Sequence, residues 1–211
     1  MRIGILGTGP MTRALGTGLI GAGHEVVIGS RDPARAERLS DELHASAGVD
    51  HRTAAGSDVV IVAVDDRAVL DVVGAIAPVL DGVVLIDLNN PIDPPHWESR
   101  YAGGASLAER IAAAAPRARV VKAFNTIYAE RLTDRAGADP EPEGGPVQVF
   151  IASDDEPAKA IVAGLAEAIG CLPIDVGGLR VARHLENLTG FEVDLVARGF
   201  ASYVGVRLLA G

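Results

Sequence analysis

The sequence predicts an α/β fold: a doubly wound parallel sheet with helices on both faces, a small C-terminal α/β extension and a long terminal helical region. Three observations lead there. Short apolar runs bounded by Gly, Asn and Asp alternate with longer stretches of helical period along most of the chain. The runs are continuous in apolar character, as in strands covered on both faces. The chain has 211 residues, 48% of them apolar, enough for one well-buried domain and an appendage but not for two full domains.

The elements follow in order. Residues 2–6 are a short apolar run ending in glycine, and 10–22 read as a helix opened by Pro10. Residues 25–29 give a second strand. The charged amphipathic stretch 33–47 is a helix, with Asp32 as its cap and Pro33 at its first position. The Val-rich run 58–64 is a buried strand, 67–77 a helix and 82–87 another buried strand. Pro91, Pro94 and Pro95 mark 88–104 as a loop. A helix at 106–115, a strand at 119–123 and a short helix near Tyr128 complete a first domain, 1–145. The Pro-, Gly- and Asp-rich stretch 133–146 reads as an exposed loop at its edge. The extension, 146–211, holds a strand–helix–strand unit (147–152, 156–169, 172–176) and closes with a helical region over 180–209. That region carries one row at Leu185, Leu188, Leu195, Gly199, Ser202, Val206 and Leu209. A second row holds Phe191, Val196, Phe200, Tyr203 and Val204. Two apolar faces need two covers. One is the chain's own core; the other is a twin subunit or the floor of a substrate pocket, and a homodimer is expected.

The first strand runs straight into Gly7-Thr8-Gly9-Pro10-Met11-Thr12. In a dinucleotide-binding turn the first glycine permits the tight bend and the second lets backbone approach the pyrophosphate. The helix that follows points its amides and positive dipole end at the same group. Gly7 and Gly9 fit these roles. Thr12 stands where a third glycine allows close helix–strand packing, so a slightly displaced first helix is expected. Two glycines are a weak signal alone; their place between a first strand and a helix makes the pattern that of a Rossmann-type fold.

The end of the second strand selects the cofactor. An Asp or Glu there would accept from a ribose 2′-hydroxyl, but the sequence reads Gly29-Ser30-Arg31-Asp32-Pro33. Ser30, Arg31 and Arg35 supply a hydroxyl and positive charge for a 2′-phosphate, while Asp32 is occupied as a helix cap. NADP(H) is therefore expected in preference to NAD(H).

Composition excludes other partners. A net charge of −9 argues against nucleic acid and anionic lipid. No apolar run reaches the roughly 18 residues of a membrane span. The chain opens on a strand-like run, and no signal peptide is expected. The lone Cys171 reads as a buried, inert thiol, which suggests a reducing, cytoplasmic setting.

The motifs GTGPM and GHEVVIGSRDP resemble those of the NADPH-dependent reductases of coenzyme F420, a deazaflavin. So do Ile86-Asp87-Leu88-Asn89-Asn90-Pro91, the segment Val121-Lys122-Ala123-Phe124-Asn125-Thr126, residues 150–155, and Ala182-Arg183-His184-Leu185-Glu186. The reductase domain of STEAP-type metalloreductases is similar too, and pyrroline-5-carboxylate reductases more distantly. The resemblance spans nearly the whole chain. It implies that Thr8, Pro10 and Met11 line the pyrophosphate and that Ser30, Arg31 and Arg35 hold the 2′-phosphate. It places Val64 and Asp65 beside the adenosine or the nicotinamide ribose, and Asn89, Asn90, Ala123 and Asn125 at the nicotinamide. It further implies a second substrate, coenzyme F420 or a flavin, that exchanges a hydride with NADP(H).

The residues themselves agree with a positioning enzyme. Ligands of open α/β sheets bind beyond the carboxyl ends of the strands, where Gly7, Ser30, Asp65, Asn89, Asn90 and Asn125 stand. Asn90 before Pro91 is also a common turn pair, and Asn125 can equally satisfy backbone after a strand. No nucleophile elbow, His/Cys metal spacing or paired-carboxylate device is evident, and hydride transfer between cofactors requires none. His24 reads as turn-facing, and His44 and His51 as lying at a helix end and in a loop. His96, Tyr128 and His184 are the side chains whose contact with substrate is left open. Two alternatives stand beside the leading reading. One is an NADPH-dependent imine or ketone reductase of a small metabolite, with Tyr128 or His184 as proton donor. The other is a non-catalytic NADP(H)-binding sensor, whose Asp65-Asp66 edge disfavours a second cofactor.

Overall fold

The computed structural model describes residues 1–133 and 145–209. Five parallel strands carry the first half of the chain: β1 (Arg2–Leu6), β2 (Glu25–Gly29), β3 (Ala47–Val49), β4 (Val59–Val62) and β5 (Val84–Asp87). Helices α1 (Pro10–Gly21), α2 (Pro33–Leu43), α3 (His51–Ala54) and α4 (Val69–Ile76) alternate with them. A two-stranded antiparallel ladder follows, β6 (Ile92–Asp93) with β7 (Glu98–Ser99). Then come α5 (Leu107–Ala114), β8 (Arg119–Lys122), α6 (Ala129–Thr133), β9 (Gln148–Ala152), α7 (Glu156–Ala168), β10 (Leu172–Gly177) and α8 (Ala182–Ala197). The main sheet has the order β10-β9-β8-β5-β4-β1-β2-β3, and every adjacent pair is parallel except β8–β9, which meet through Lys122 and Ala152. The strand–helix–strand unit of the extension thus continues the sheet of the first domain.

Alternation along the strands divides the core. Ile3, Ile5, Val26, Ile28, Val59 and Ile61 face Leu15 and Leu19 of α1, Leu39 of α2 and Val162 and Leu165 of α7. Leu6, Val27, Val60, Val62 and Leu85 face Val69 and Val73 of α4 and Leu107 and Ile111 of α5. Successive side chains of a strand point to opposite faces, so covering both produces the continuous apolar runs of the sequence. Cys171 is buried, as expected. Among the described residues no helix is long and apolar enough to cross a membrane.

Three expectations need correction. The helix expected over 33–47 stops at Leu43, where His44 turns left-handed (φ 56°); Ala47–Val49 then add the edge strand β3. The loop 88–104 contains the small β6–β7 ladder. The helical region expected to reach 209 ends at Ala197. There Gly199 adopts φ 78°, its amide donates to the Val196 carbonyl (2.9 Å), and the Phe200 amide donates to the Leu195 carbonyl (3.0 Å). This is a Schellman closure, which a glycine accommodates and a side chain resists. Gly199, read as a small residue on a helix face, is the stop signal. The chain beyond it runs back along the domain, and Leu208 exchanges two hydrogen bonds with the Gln148 side chain (2.7 and 2.9 Å). The loop expected at 133–146 lies largely outside the described residues.

A buried ion cluster joins the second half of the sheet to α8. The Lys122 ammonium, wholly inaccessible to solvent, donates to Asp87 Oδ2 (2.9 Å), to Glu186 Oε1 (3.3 Å) and to the Asn89 carbonyl. Glu186 also accepts from the Leu107 and Ala108 amides at the start of α5 (3.2 and 3.3 Å). Burial pushes the Glu186 carboxyl above its ordinary range, and the Lys122 charge opposes that push. Removing one member of such a cluster leaves the others uncompensated. Lys122→Met is therefore expected to lower unfolding free energy by about 3–5 kcal/mol in urea titration. Adding Asp87→Asn should cost less than the two single changes summed.

Candidate functional site

The turn after β1 is shaped by Gly7 and Gly9. Gly7 has φ 130°, its amide donates to the Gly29 carbonyl (2.8 Å), and a Cβ there would lie 2.1 Å from the Ala63 carbonyl oxygen. A Cβ on Gly9 would instead meet open space. That space is where a ligand can approach the backbone. Gly9 caps α1 with no side chain bonded to the helix end, and Pro10 opens the first turn. Thr12, in the third-glycine position, is fully buried, and its hydroxyl has no partner among the described residues.

At the end of β2 the buried Ser30 hydroxyl accepts from the Asp32 amide (3.1 Å), so its proton is available to an external acceptor. Asp32 caps α2, accepting from the Arg35 amide (3.3 Å), as expected of a carboxylate turned away from a ribose. Arg31 and Arg35 are exposed. His51 opens α3 beside this end of β2, its Cα 3.4 Å from a Cβ placed on Gly29. Burial lowers its basicity, the Asp50 charge opposes that, and the Arg31 charge lowers it further. Sequence reasoning left His51 in a loop because β3, which brings it back to β2, is too short to be read.

A cavity of about 500 Å³ lies beyond the strand ends. Gly9, Pro10 and Met11 border it on one side, Val64, Asn89, Asn90 and Asn125 along the middle, and Tyr128, Thr189, Glu192 and Val193 on the far side. Much of the remaining wall is apolar: Leu88, Ile92 and Ile127. The asparagines are positioned by one another. Asn90 Nδ2 donates to the Asn125 carbonyl (2.8 Å), and Asn125 Nδ2 donates to Asn90 Oδ1 (2.9 Å) and the Leu185 carbonyl (3.1 Å). Thr189 Oγ1 donates to the Asn125 carbonyl (3.1 Å). Phe124, buried with φ 62°, makes the left-handed bend that aims Asn125. Asn125 Oδ1 is buried without a hydrogen-bond partner among the described residues, an acceptor held ready for a donor. Asn89 spends its side-chain amide on the Val62 carbonyl (2.8 Å) and Asp87 (2.9 Å), so it holds the wall rigid.

Other sequence candidates lie elsewhere. Ala123 is wholly buried in the core and does not line the cavity. Asp65 is exposed and accepts from the Arg67 amide (3.0 Å). Asp66 is ion-paired to Arg100, which also binds Asp93 (2.8 Å). His96 lines a separate depression with Trp97 and Phe191, and His184 another with Tyr101 and Arg183. Of the three side chains left open by the sequence, Tyr128 alone lines the cavity.

Two groups were missed. Lys122 lies beneath the asparagine loops, and Glu192 projects from α8 into the cavity wall. Glu192 is fully buried; its Oε1 accepts from the Val206 amide (3.1 Å) and its Oε2 has no partner among the described residues. Burial holds its carboxyl up at about 7, against the pull of the Val206 amide. Burial and the Glu192 charge likewise raise the Tyr128 phenol. The spacing of Glu192 carries a signal, for it lies four residues after Leu188 and three before Leu195, within the first apolar row.

A doubly wound sheet, a glycine turn opening a helix, a basic end to β2 and a cavity beyond the strand ends define an NADP-dependent oxidoreductase. Residues 2–91 match the family described as NADP oxidoreductase coenzyme F420-dependent. The F420-dependent NADP reductase of Methanothermobacter marburgensis is 34% identical over 227 residues, covering 99% of this chain and 98% of that protein. The chain belongs to this family. The rat metalloreductase STEAP3 is 37% identical over 185 residues, where the chain spans 36% of that protein's length. A candidate F420-dependent NADP reductase of Arthrobacter sp. FB24 superposes with a TM-score of 0.85 at 29% identity, covering 99% of both chains.

The residues at the end of β2 and at the glycine turn fit a phosphorylated dinucleotide, and their roles are separable. Arg31→Ala is expected to weaken NADPH by roughly 1–3 kcal/mol, the worth of a lost charge-assisted bond, and NADH much less. Calorimetric titration with both nucleotides checks it; equal losses would put the 2′-phosphate elsewhere.

Proposed function

We propose that the protein transfers a hydride between NADP(H) and a flat, tricyclic acceptor of the coenzyme F420 class, with flavin as the near neighbour in shape. The observation that carries this reading is the single cavity running from the glycine turn, past the three asparagines, to α8. It is apolar along much of its length and bordered by few fixed polar groups, which suits two stacked rings that must meet without water.

In this reading Gly7, Thr8, Gly9, Pro10 and Met11 cradle the pyrophosphate with backbone amides, and Ser30, Arg31 and Arg35 hold the 2′-phosphate. Val64 and Asp65 border the adenosine or nicotinamide ribose. Asn125 Oδ1 accepts from the nicotinamide carboxamide, while Asn89 and Asn90 fix the wall around it and Ala123 backs the loop. Bound NADPH supplies the hydride. The protein contributes orientation and exclusion of water, which together supply most of what such a transfer needs. The acceptor side is formed by residues of 146–211, chiefly Thr189, Glu192 and Val193, against a dinucleotide-binding part made by 1–145. A reducing, cytoplasmic setting accords with a single, buried cysteine.

Stopped-flow mixing of NADPH with coenzyme F420 tests the reading: bleaching of the deazaflavin absorbance is expected, and no change at any pH overturns it. A second reading draws on one specific observation, the Tyr128 hydroxyl in the cavity wall. It is reduction of a small imine or ketone, and NADPH turnover with a panel of such compounds, in the absence of deazaflavin activity, favours it.

A homodimer forms part of the same proposal. Phe191, Phe200 and Leu209 are 56%, 75% and 85% exposed along α8 and the chain beyond it, and large apolar groups of this kind are available for a second copy to cover. Sedimentation equilibrium is expected to return twice the chain mass, and Phe200→Asp to shift it toward the monomer.

A further inference from the structure

Reduction of a deazaflavin, an imine or a ketone consumes one proton along with the hydride. The cavity wall contains a buried carboxyl suited to provide it. Glu192 is fully buried, one of its carboxyl oxygens is held by the Val206 amide, and the other has no partner among the described residues. It sits one helical turn after Thr189, on the same face of α8, and Thr189 is bonded to the Asn125 backbone. The carboxyl and the unsatisfied Asn125 acceptor therefore border one cavity. The buried Tyr128 hydroxyl likewise has no partner among the described residues.

We propose that Glu192 is the acid that protonates the acceptor. The hydride pair forms the new C–H bond on the acceptor ring. The displaced π pair of the ring moves to nitrogen and takes the Glu192 proton there. Glu192 is left as carboxylate until water restores its proton, and the oxidation of a reduced acceptor by NADP⁺ runs the same exchange backwards. This assignment rests on the acceptor occupying the cavity, as in the functional reading above.

The physical chemistry suits the role. A desolvated carboxyl without a cationic partner keeps its proton near neutral pH, which is where a general acid is most effective. The other titratable groups lining the cavity are Tyr128 and Glu130, and Arg131, Tyr203 and Arg207 line the adjoining depression. Holding the chain end through Val206 requires only a carbonyl-type oxygen, which a glutamine provides equally well. An ionisable group is needed only if a proton moves.

The test compares wild type with Glu192→Gln. The variant is expected to bind NADPH and F420 as wild type does, by fluorescence titration. It should transfer the hydride to F420 more slowly by roughly 10²–10⁴-fold in single turnover, the range for loss of a general acid. Its rate should lack the alkaline fall expected of wild type. A second readout is independent of turnover. The wild-type carboxyl, held at about 7 when folded, makes stability decline as pH rises from the ordinary glutamate range through that value, and the variant should lack this decline. Should Glu192→Gln fail to fold, Glu192→Asp replaces it: slowed transfer with F420 binding retained supports the assignment, and an unchanged rate overturns it. Wild-type rates and pH profile in Glu192→Gln, or matching stability curves, overturn it alone. A wild type that leaves F420 unreduced overturns the functional reading and this assignment together.

Discussion

The site depends on one buried ammonium. Lys122 lies at the end of β8 and binds Asp87 at the end of β5, the carbonyl of Asn89 just beyond it, and Glu186 in the first turns of α8. Each of these groups would be unfavourable in the interior alone. Together they fix the separation of two strand ends and dock a helix that belongs to the C-terminal part. A hydrophobic cluster of the same volume could hold the elements together, but it would not set their register through directional bonds. The asparagine loops and the wall containing Thr189 and Glu192 inherit their positions from this cluster.

The two ends of the site are built on opposite electrostatic principles. Where β2 ends, Arg31, Arg35 and the half-buried His51 stand near solvent, in a chain whose net charge is −9. Positive charge concentrated there can bind a phosphate without steering anions to the rest of the surface. Around the cavity, charge is paired or withheld. Lys122 is satisfied beneath the wall, Asp66 is tied to Arg100 away from it, and the Glu192 carboxyl in the wall is held near 7 by burial.

Much of the fold was legible because local signals and tertiary needs coincide. Continuous Val and Ile runs gave the parallel strands, Asp32-Pro33 gave the cap of α2, and Gly7 and Gly9 gave the turn. The strand-end residues Asn90 and Asn125 were read as site candidates, and the structure brings them to one wall. Other features depend on contacts distant in sequence. A lysine in an apolar strand looks like a solvated edge until Asp87 and Glu186 arrive from elsewhere. Ala47–Val49 is too short for any period to register, which hid β3 and with it the placement of His51. In α8 the charge of Glu192 hid it, although it falls four residues after Leu188 and three before Leu195 in the first apolar row, where spacing places it inward.

The chain beyond α8 illustrates how a local stop becomes part of a site. Gly199 permits the left-handed closure that ends the helix, so the residues after it turn back instead of extending the rod. Leu208 is then pinned to Gln148 at the start of β9, and the Val206 amide reaches Glu192. A helix continued through 206 would direct that amide to its own carbonyl at 202 and leave both oxygens of Glu192 without a donor. The reversal thus supplies one hydrogen bond, enough to orient the carboxyl, and leaves the second oxygen without a partner among the described residues. A single glycine in this way couples the chain beyond α8 to the orientation of a buried acid in the cavity wall.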